Sequence, residues 1–138
     1  MNSELIFYLA KKTSLCEKIL RKSLGNFNVT LSNTTFATNP QTLGEKLCEN
    51  FDECNLFFIV GGLEFSDRTG IKNIFSKAFA YENLDDMKKI ENVNGYQDGF
   101  LFRKGNQLIL VFPDEPADIE AMVKEPLKSY IISFCENN

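Results

Sequence analysis

The chain has 138 residues, 43% hydrophobic and 25% charged, the size and mix of one globular domain with a full core. It contains no histidine, which excludes Ser-His-Asp and Cys-His catalysis, histidine zinc sites and histidine proton transfer; any chemistry must use carboxylates, lysines, hydroxyls, backbone amides or a bound metal. The net charge of −4 divides unevenly, with six Lys/Arg against four Asp/Glu in residues 1–50 and nine against fifteen in the rest.

The opening segment "MNSELIFYLAKKTS" has an apolar stretch of only about six residues, and no run approaches the roughly 20 that a membrane span requires. The expectation is a cytoplasmic protein with no membrane association. "ELIFYLA" reads as a short buried strand. "SLCEKILRKSLG" reads as a helix with Ser14 as cap, Glu17 closing a capping box and Gly25 as its stop. Lys11, Lys12, Lys18, Arg21 and Lys22 read as the solvated face of that helix. No basic stripe with interleaved aromatics is visible, so no nucleic-acid partner is expected. "FNVTL" is a second strand. Thr38 and Asn39 before Pro40 supply a cap and a first-turn proline, and Leu43, Leu47 and Phe51 continue at a spacing of four, which predicts a helix over 40–52.

"NLFFIV" is apolar at every position, as expected of a central strand covered on both faces over residues 55–60. Ile71, Ile74, Phe75, Ala78 and Phe79 mark a third amphipathic helix. Residues 81–94 are polar with a weak stripe at Leu84, Met87 and Ile90 and read as irregular to helical. In "GFLFRKGNQLILVF" two strand-like runs flank "RKGN" and predict an antiparallel hairpin, with residues 107–112 beside the central strand. "PDEPADIEAMVKEPLKSYIISF" begins a helix with acids in its first turn, interrupted at Pro126. Cys16, Cys48, Cys54 and Cys135 are irregularly spaced, without C-x-x-C, and read as buried reduced thiols.

Alternating strands and helices with one late hairpin predict an α/β fold, a three-layer α/β/α sandwich with a mostly parallel sheet plus one antiparallel hairpin strand. In such sheets ligands lie outside the carboxyl ends of the strands.

Three of the loops there carry a resemblance. "FFIVGGLEFSDRT" resembles the Gly-Gly-Leu/Thr-Gly…Asp-x-Thr segment of the molybdopterin-binding domain of molybdenum cofactor biosynthesis and competence/damage-inducible proteins. "NGYQDGFLF" resembles that family's Gly-Thr-Ala-Pro-Gly-Phe, and "NQLILVFPDEPADIEAMVKEPL" its strand, Pro-Gly-Val-Pro and following helix. Order and spacing agree over about residues 55 to 130, and residues 1–54 correspond only in strand–helix order. The resemblance implies one such domain over residues 1–138.

By resemblance, Gly61 and Gly62 approach a phosphate-bearing ligand, a molybdopterin or a nucleotide, with Leu63, Glu64, Ser66 and Thr69 in the same loop. Gly95 and Gly99 shape the second loop, and Pro113, Asp114 and Pro116 the third. Asp67 matches the family's metal- or substrate-contacting acid, so it is the catalytic candidate, and Asp67, Glu64 and Asp114 would hold Mg²⁺. If active, the chain would catalyse magnesium-dependent nucleotidyl transfer or pyrophosphate hydrolysis. Dimers and trimers both occur in the resembled group, which leaves a homo-oligomer open and fixes neither order.

Four positions depart from the family pattern, and all become acidic: Glu64 and Asp114 at glycines, Asp98 at a proline and Glu115 at a small apolar residue. "YLAKKTS" stands where the family has Gly-Asp-Glu-Leu. Two like charges about 6 Å apart repel by roughly 3 kcal/mol at an effective dielectric of 20, so a ring of these acids would turn a phosphate away. The sequence therefore leaves two functions open: a metal-assisted enzyme, or a non-catalytic relative that keeps the fold for protein interaction.

Overall fold

The computed structural model describes residues 1–50, 54–65, 69–78 and 86–137. Six strands form one sheet in the order β2-β1-β3-β6-β5-β4. The strands are β1 (Asn2–Tyr8), β2 (Thr30–Ala37), β3 (Leu56–Val60), β4 (Asp86–Ile90), β5 (Gly99–Lys104) and β6 (Gln107–Phe112). β2, β1, β3 and β6 run parallel, and β5 is antiparallel to both β6 and β4. β5 is thus the single reversed strand, as predicted, and both sequence-predicted central strands lie inside the sheet.

β1, β3 and β6 alternate between two apolar layers. Leu5, Phe7, Phe58, Val60, Leu110 and Phe112 point to a face covered by α1 (Thr13–Ser23), α4 (Pro116–Lys124) and α5 (Lys128–Glu136). Ile6, Tyr8, Phe57, Ile59, Ile109 and Val111 point to the other, covered by α2 (Pro40–Asn50) and α3 (Ile71–Ala78). Both faces are buried, which explains the unbroken apolar runs. Stacked rings lock the layers, Phe75 on Phe102 at 4.4 Å and Phe58 on Phe112 at 6.2 Å.

Three local expectations are corrected. α1 begins at Thr13 after Lys12, which is left-handed (φ 53°), and no side chain caps its first turn, so Ser14 and Glu17 make no capping box. Glu17 instead lies 3.8 Å from Arg21 one turn on. The second strand runs over Thr30–Ala37, past the predicted "FNVTL", because a 3₁₀ turn at Leu24–Asn26 carries Phe27 onto the core before pairing starts. A bulge accompanies the strand: Ser3 pairs with Leu31 and Glu4 with Asn33, which leaves Ser32 over.

Residues 86–90, read as irregular to helical, form the edge strand β4, in which Ile90 is buried and Met87, Lys88 and Lys89 are exposed. An edge strand with one covered residue has no apolar periodicity to read. Residues 81–85 lie outside the described ones. The α2 cap is as expected, with Asn39 Oδ1 accepting the Thr42 N–H at 2.8 Å. The last helix is interrupted at Pro126 between α4 and α5, as predicted. Cys16 and Cys135 are reduced thiols, while the Cys48 side chain lies outside the described ones. No helix among the described residues is long and apolar enough to cross a membrane.

Truncating Phe58, fully buried in the middle of the sheet, should cost about 3–5 kcal/mol in urea unfolding of Phe58→Ala. Gly44 lies within α2 with open space where a side chain would begin; Gly44→Ala should gain roughly 0.5–1 kcal/mol in the same assay.

Candidate functional site

The carboxyl ends of β1, β3 and β6 lie side by side. Their following loops, 9–12, the described parts 61–65 and 69–70 of the second, and 113–115, therefore gather at one end of the sheet, joined by the β4–β5 connection 91–98. Gly61 N–H donates to the Phe112 carbonyl at 3.0 Å. Its φ is +107°, and a Cβ there would stand 2.2 Å from the Tyr8 carbonyl oxygen and 2.9 Å from Ala10 Cβ. Gly62, at φ +76°, lies against the Tyr8 ring and Ile71. Only glycine fits such positions. The Tyr8 hydroxyl donates to the Thr69 carbonyl at 2.6 Å, closing the far side of the second loop.

The first and third loops are bound by charge. Lys11 N–H donates to Asp114 Oδ2 at 2.7 Å, and Lys12 Nζ to Glu115 Oε2 at 2.6 Å. The left-handed turn at Lys12, with a second at Leu9 (φ 49°), bends the chain toward these acids. Lys11 and Lys12 thus precede the helix and hold a loop, whereas the sequence placed them on the helix's solvated face.

The β4–β5 loop is braced onto α4. Asp118, buried in the helix's first turn, accepts from Asn94 Nδ2 at 2.8 Å, and a Cβ on Gly95 would come 2.5 Å from its carboxylate. Asn92 N–H donates to Asp98 Oδ1 at 2.9 Å, and Asn92 Nδ2 donates to the Gln97 carbonyl at 2.9 Å. Lys89 Nζ lies 3.5 Å from Asp98.

Of the residues singled out by sequence, Gly61, Gly62, Leu63, Glu64, Thr69, Gly95, Gly99, Pro113, Asp114 and Pro116 all belong to these strand ends and loops. Leu63 packs partly buried on the α2–α3 layer, Pro113 is buried and Glu64 is exposed. Pro116 is the first residue of α4. Gly99 begins β5, where a Cβ would meet the Val111 carbonyl oxygen at 2.4 Å. Ser66 and Asp67 lie outside the described residues.

The expected ring of repelling acids is not what the described residues form: Asp114, Glu115 and Asp98 each have a donor partner. Among the described residues no three acids or cysteines gather closely enough to hold a metal ion. Asp114, one of the three ligands implied for Mg²⁺, already accepts the Lys11 amide. Sequence reasoning missed Lys11, Lys12, Asn92, Asn94 and Asp118. The available signal was the pair of substitutions of opposite sign, lysines for acids in the first loop and acids for glycine and a small apolar residue in the third.

The paired charges reach into the core. Burial, reinforced by the Asp114 and Glu115 carboxylates, pushes the Cys16 thiol from its ordinary 9.0 up to about 11. The hydrogen bond that the Lys12 ammonium donates to the Glu115 carboxylate holds it above its usual 10.5. The unfolded chain releases the Cys16 proton near pH 9 while the folded chain keeps it to about 11. The folded state then binds more protons, so stability falls as pH rises through that window, by roughly 2–3 kcal/mol from this thiol. The Lys12 contribution is complete below 10.5 and is lost as pH passes its raised value. Urea unfolding at several pH values should show this decline, and Cys16→Ala should flatten it between pH 9 and 11. Gly61→Ala should destabilise by more than about 1 kcal/mol at any pH.

No protein-family profile and no curated protein matches the chain. Solved structures do. The CinA protein of unknown function from Thermoplasma acidophilum superposes with a TM-score of 0.72 at 15% identity, over 95% of this chain and 98% of that one. The molybdopterin biosynthesis enzyme MoaB from Thermus thermophilus gives 0.69 at 15% identity, over 99% and 97%. The tungsten cofactor synthesizing protein MoaB from Pyrococcus furiosus gives 0.61 at 10% identity, over 99% and 95%. At such identities the likeness is one of architecture, and it spans the whole chain: this protein has the fold shared by CinA and the MoaB molybdopterin biosynthesis proteins.

Proposed function

We propose that the chain is a divergent domain of the molybdopterin-binding type that takes a small phosphate-bearing ligand, a pterin phosphate or a nucleotide, in the loops at the carboxyl ends of β1, β3 and β6. The observation that carries this reading is the Asp114 carboxylate on the Lys11 N–H at 2.7 Å, beside Lys12. A backbone amide and an ammonium group already receive anionic oxygens there, and phosphate oxygens make the same charge-assisted bonds. The positive-φ glycines Gly61 and Gly62 keep the neighbouring backbone bare. Gly95, Gly99, Pro113 and Pro116 shape the walls, and Leu63, Glu64, Ser66, Asp67 and Thr69 complete the second loop.

The described acids do not suit Mg²⁺, since Asp114 is engaged with Lys11 and no three of them gather closely enough to hold a cation. Asp67 remains the one acid assigned to chemistry, and on that assignment any nucleotidyl transfer or pyrophosphate hydrolysis depends. The same contacts also favour the second reading: Asp114 and Glu115 occupy the anion receptors from within, as a non-catalytic relative kept for protein interaction would tolerate.

Calorimetric titration with ATP, GTP and pyrophosphate at low ionic strength, with and without Mg²⁺, separates the two. Wild-type binding should be weak. Asp114→Gly with Glu115→Ala frees Lys11 N–H and Lys12 Nζ and should tighten binding about tenfold or more, the gain expected of a charge-assisted pair (about 1.5–3 kcal/mol). Adding Lys12→Ala should cancel much of that gain. Unchanged affinity in the double variant would remove the ligand-binding reading and leave the non-catalytic one.

A further inference from the structure

At the opposite end of the strands, a groove of about 610 Å³ opens between the end of α1 and the α4–α5 junction. Lys22, Lys124 and Lys128 line it with Phe27 and Ile132, and Glu120 is the acid among its described lining residues. All three lysines are exposed. Among the described residues, none of them is in an ion pair.

Lys22 and Lys124 lie in the last turns of α1 and α4, where a cation complements the helix dipole. Lys128 has no such explanation. It is the first residue of α5, the end at which a cation is disfavoured. Three ammonium groups around an apolar floor make a local positive patch on a chain of net charge −4, and such a patch attracts an acidic partner.

We infer that this groove docks a short acidic peptide segment of a partner protein, its carboxylates on Lys22, Lys124 and Lys128 and an apolar side chain on Phe27 and Ile132. Ammonium groups on flexible stems match carboxylates spaced along a peptide better than one planar bidentate anion. A bare phosphate would leave the apolar floor unused. The groove is remote from the strand-end loops, so this docking stands whether or not those loops bind a phosphate.

The test uses the full chain, isotope-labelled for amide shifts, titrated at low ionic strength with an acetylated hexapeptide of alternating glutamate and leucine. A lysine–leucine counterpart is the control. Saturating shifts should map to Lys22, Phe27, Val123 and Ile132, and the lysine peptide should produce none. Lys22→Ala/Lys124→Ala/Lys128→Ala should weaken binding about tenfold or more, and Lys128→Glu alone should weaken it measurably, since the first removes and the second reverses charge complementary to the peptide. Both variants should still unfold cooperatively, with midpoints moved only by the small helix-end charge effects, down for the triple variant and up for Lys128→Glu.

Absence of groove shifts with the acidic peptide would overturn the inference, as would equal shifts with the basic one or unchanged affinity in the triple variant. Displacement of the peptide by pyrophosphate at the groove would assign it to small anions instead. Sedimentation showing these residues covered by a second copy would replace the partner with the chain itself.

Discussion

Where β1, β3 and β6 end together, the Gly61 amide bonds the Phe112 carbonyl at 3.0 Å while the Tyr8 carbonyl stands 2.2 Å from where a side chain would begin. Three strand ends thus meet on one residue that must lack a Cβ. Their parallel register delivers the loops to the same height, and the bare backbone lets them touch. Without that closeness Lys11 could not reach Asp114 from a position 103 residues away in the chain. The architecture places the loops; the missing side chain lets them make a site.

The parts legible in the sequence are those whose environment is symmetric. β3 and β6 are covered on both faces, so every position after Gln107, which opens β6, is apolar and the run declares itself. The hairpin turn at Gly105, with φ +56°, and the Asn39 cap of α2 are local devices that leave local marks. β2 and β4 are edge strands. Their buried positions are few, Leu31 and Ala37 in one and Ile90 in the other, and the rest are polar apart from the exposed Phe36 and Met87. The start of α1 was illegible for another reason, since the groups that hold its approach, Asp114 and Glu115, lie 103 residues further along the chain than the lysines they bond.

The candidate site divides along the same line. Its glycines and prolines carry backbone constraints that a sequence displays. Its charges can be counted in the sequence but not paired: four acids in three loops suggest mutual repulsion, and the fold gives three of them partners in the Lys11 amide, Lys12, Lys89 and the Asn92 amide. Asp118 and Asn94 went unseen because a buried acid bonded to an asparagine looks, in sequence, like two ordinary polar residues.

The two margins of the sheet differ in a way that bears on how the protein behaves in a crowded solution. An unprotected edge presents a row of amide and carbonyl groups on which another strand can grow. At one margin the extra residue Ser32 throws the outer strand out of regular step, so an incoming chain would lose register within a few residues. At the other, Lys88 and Lys89 stand exposed on opposite faces of a strand of five residues, too short and too charged to template a like strand. A sheet this apolar at its centre is kept from joining its neighbours by an irregularity on one side and by charge on the other.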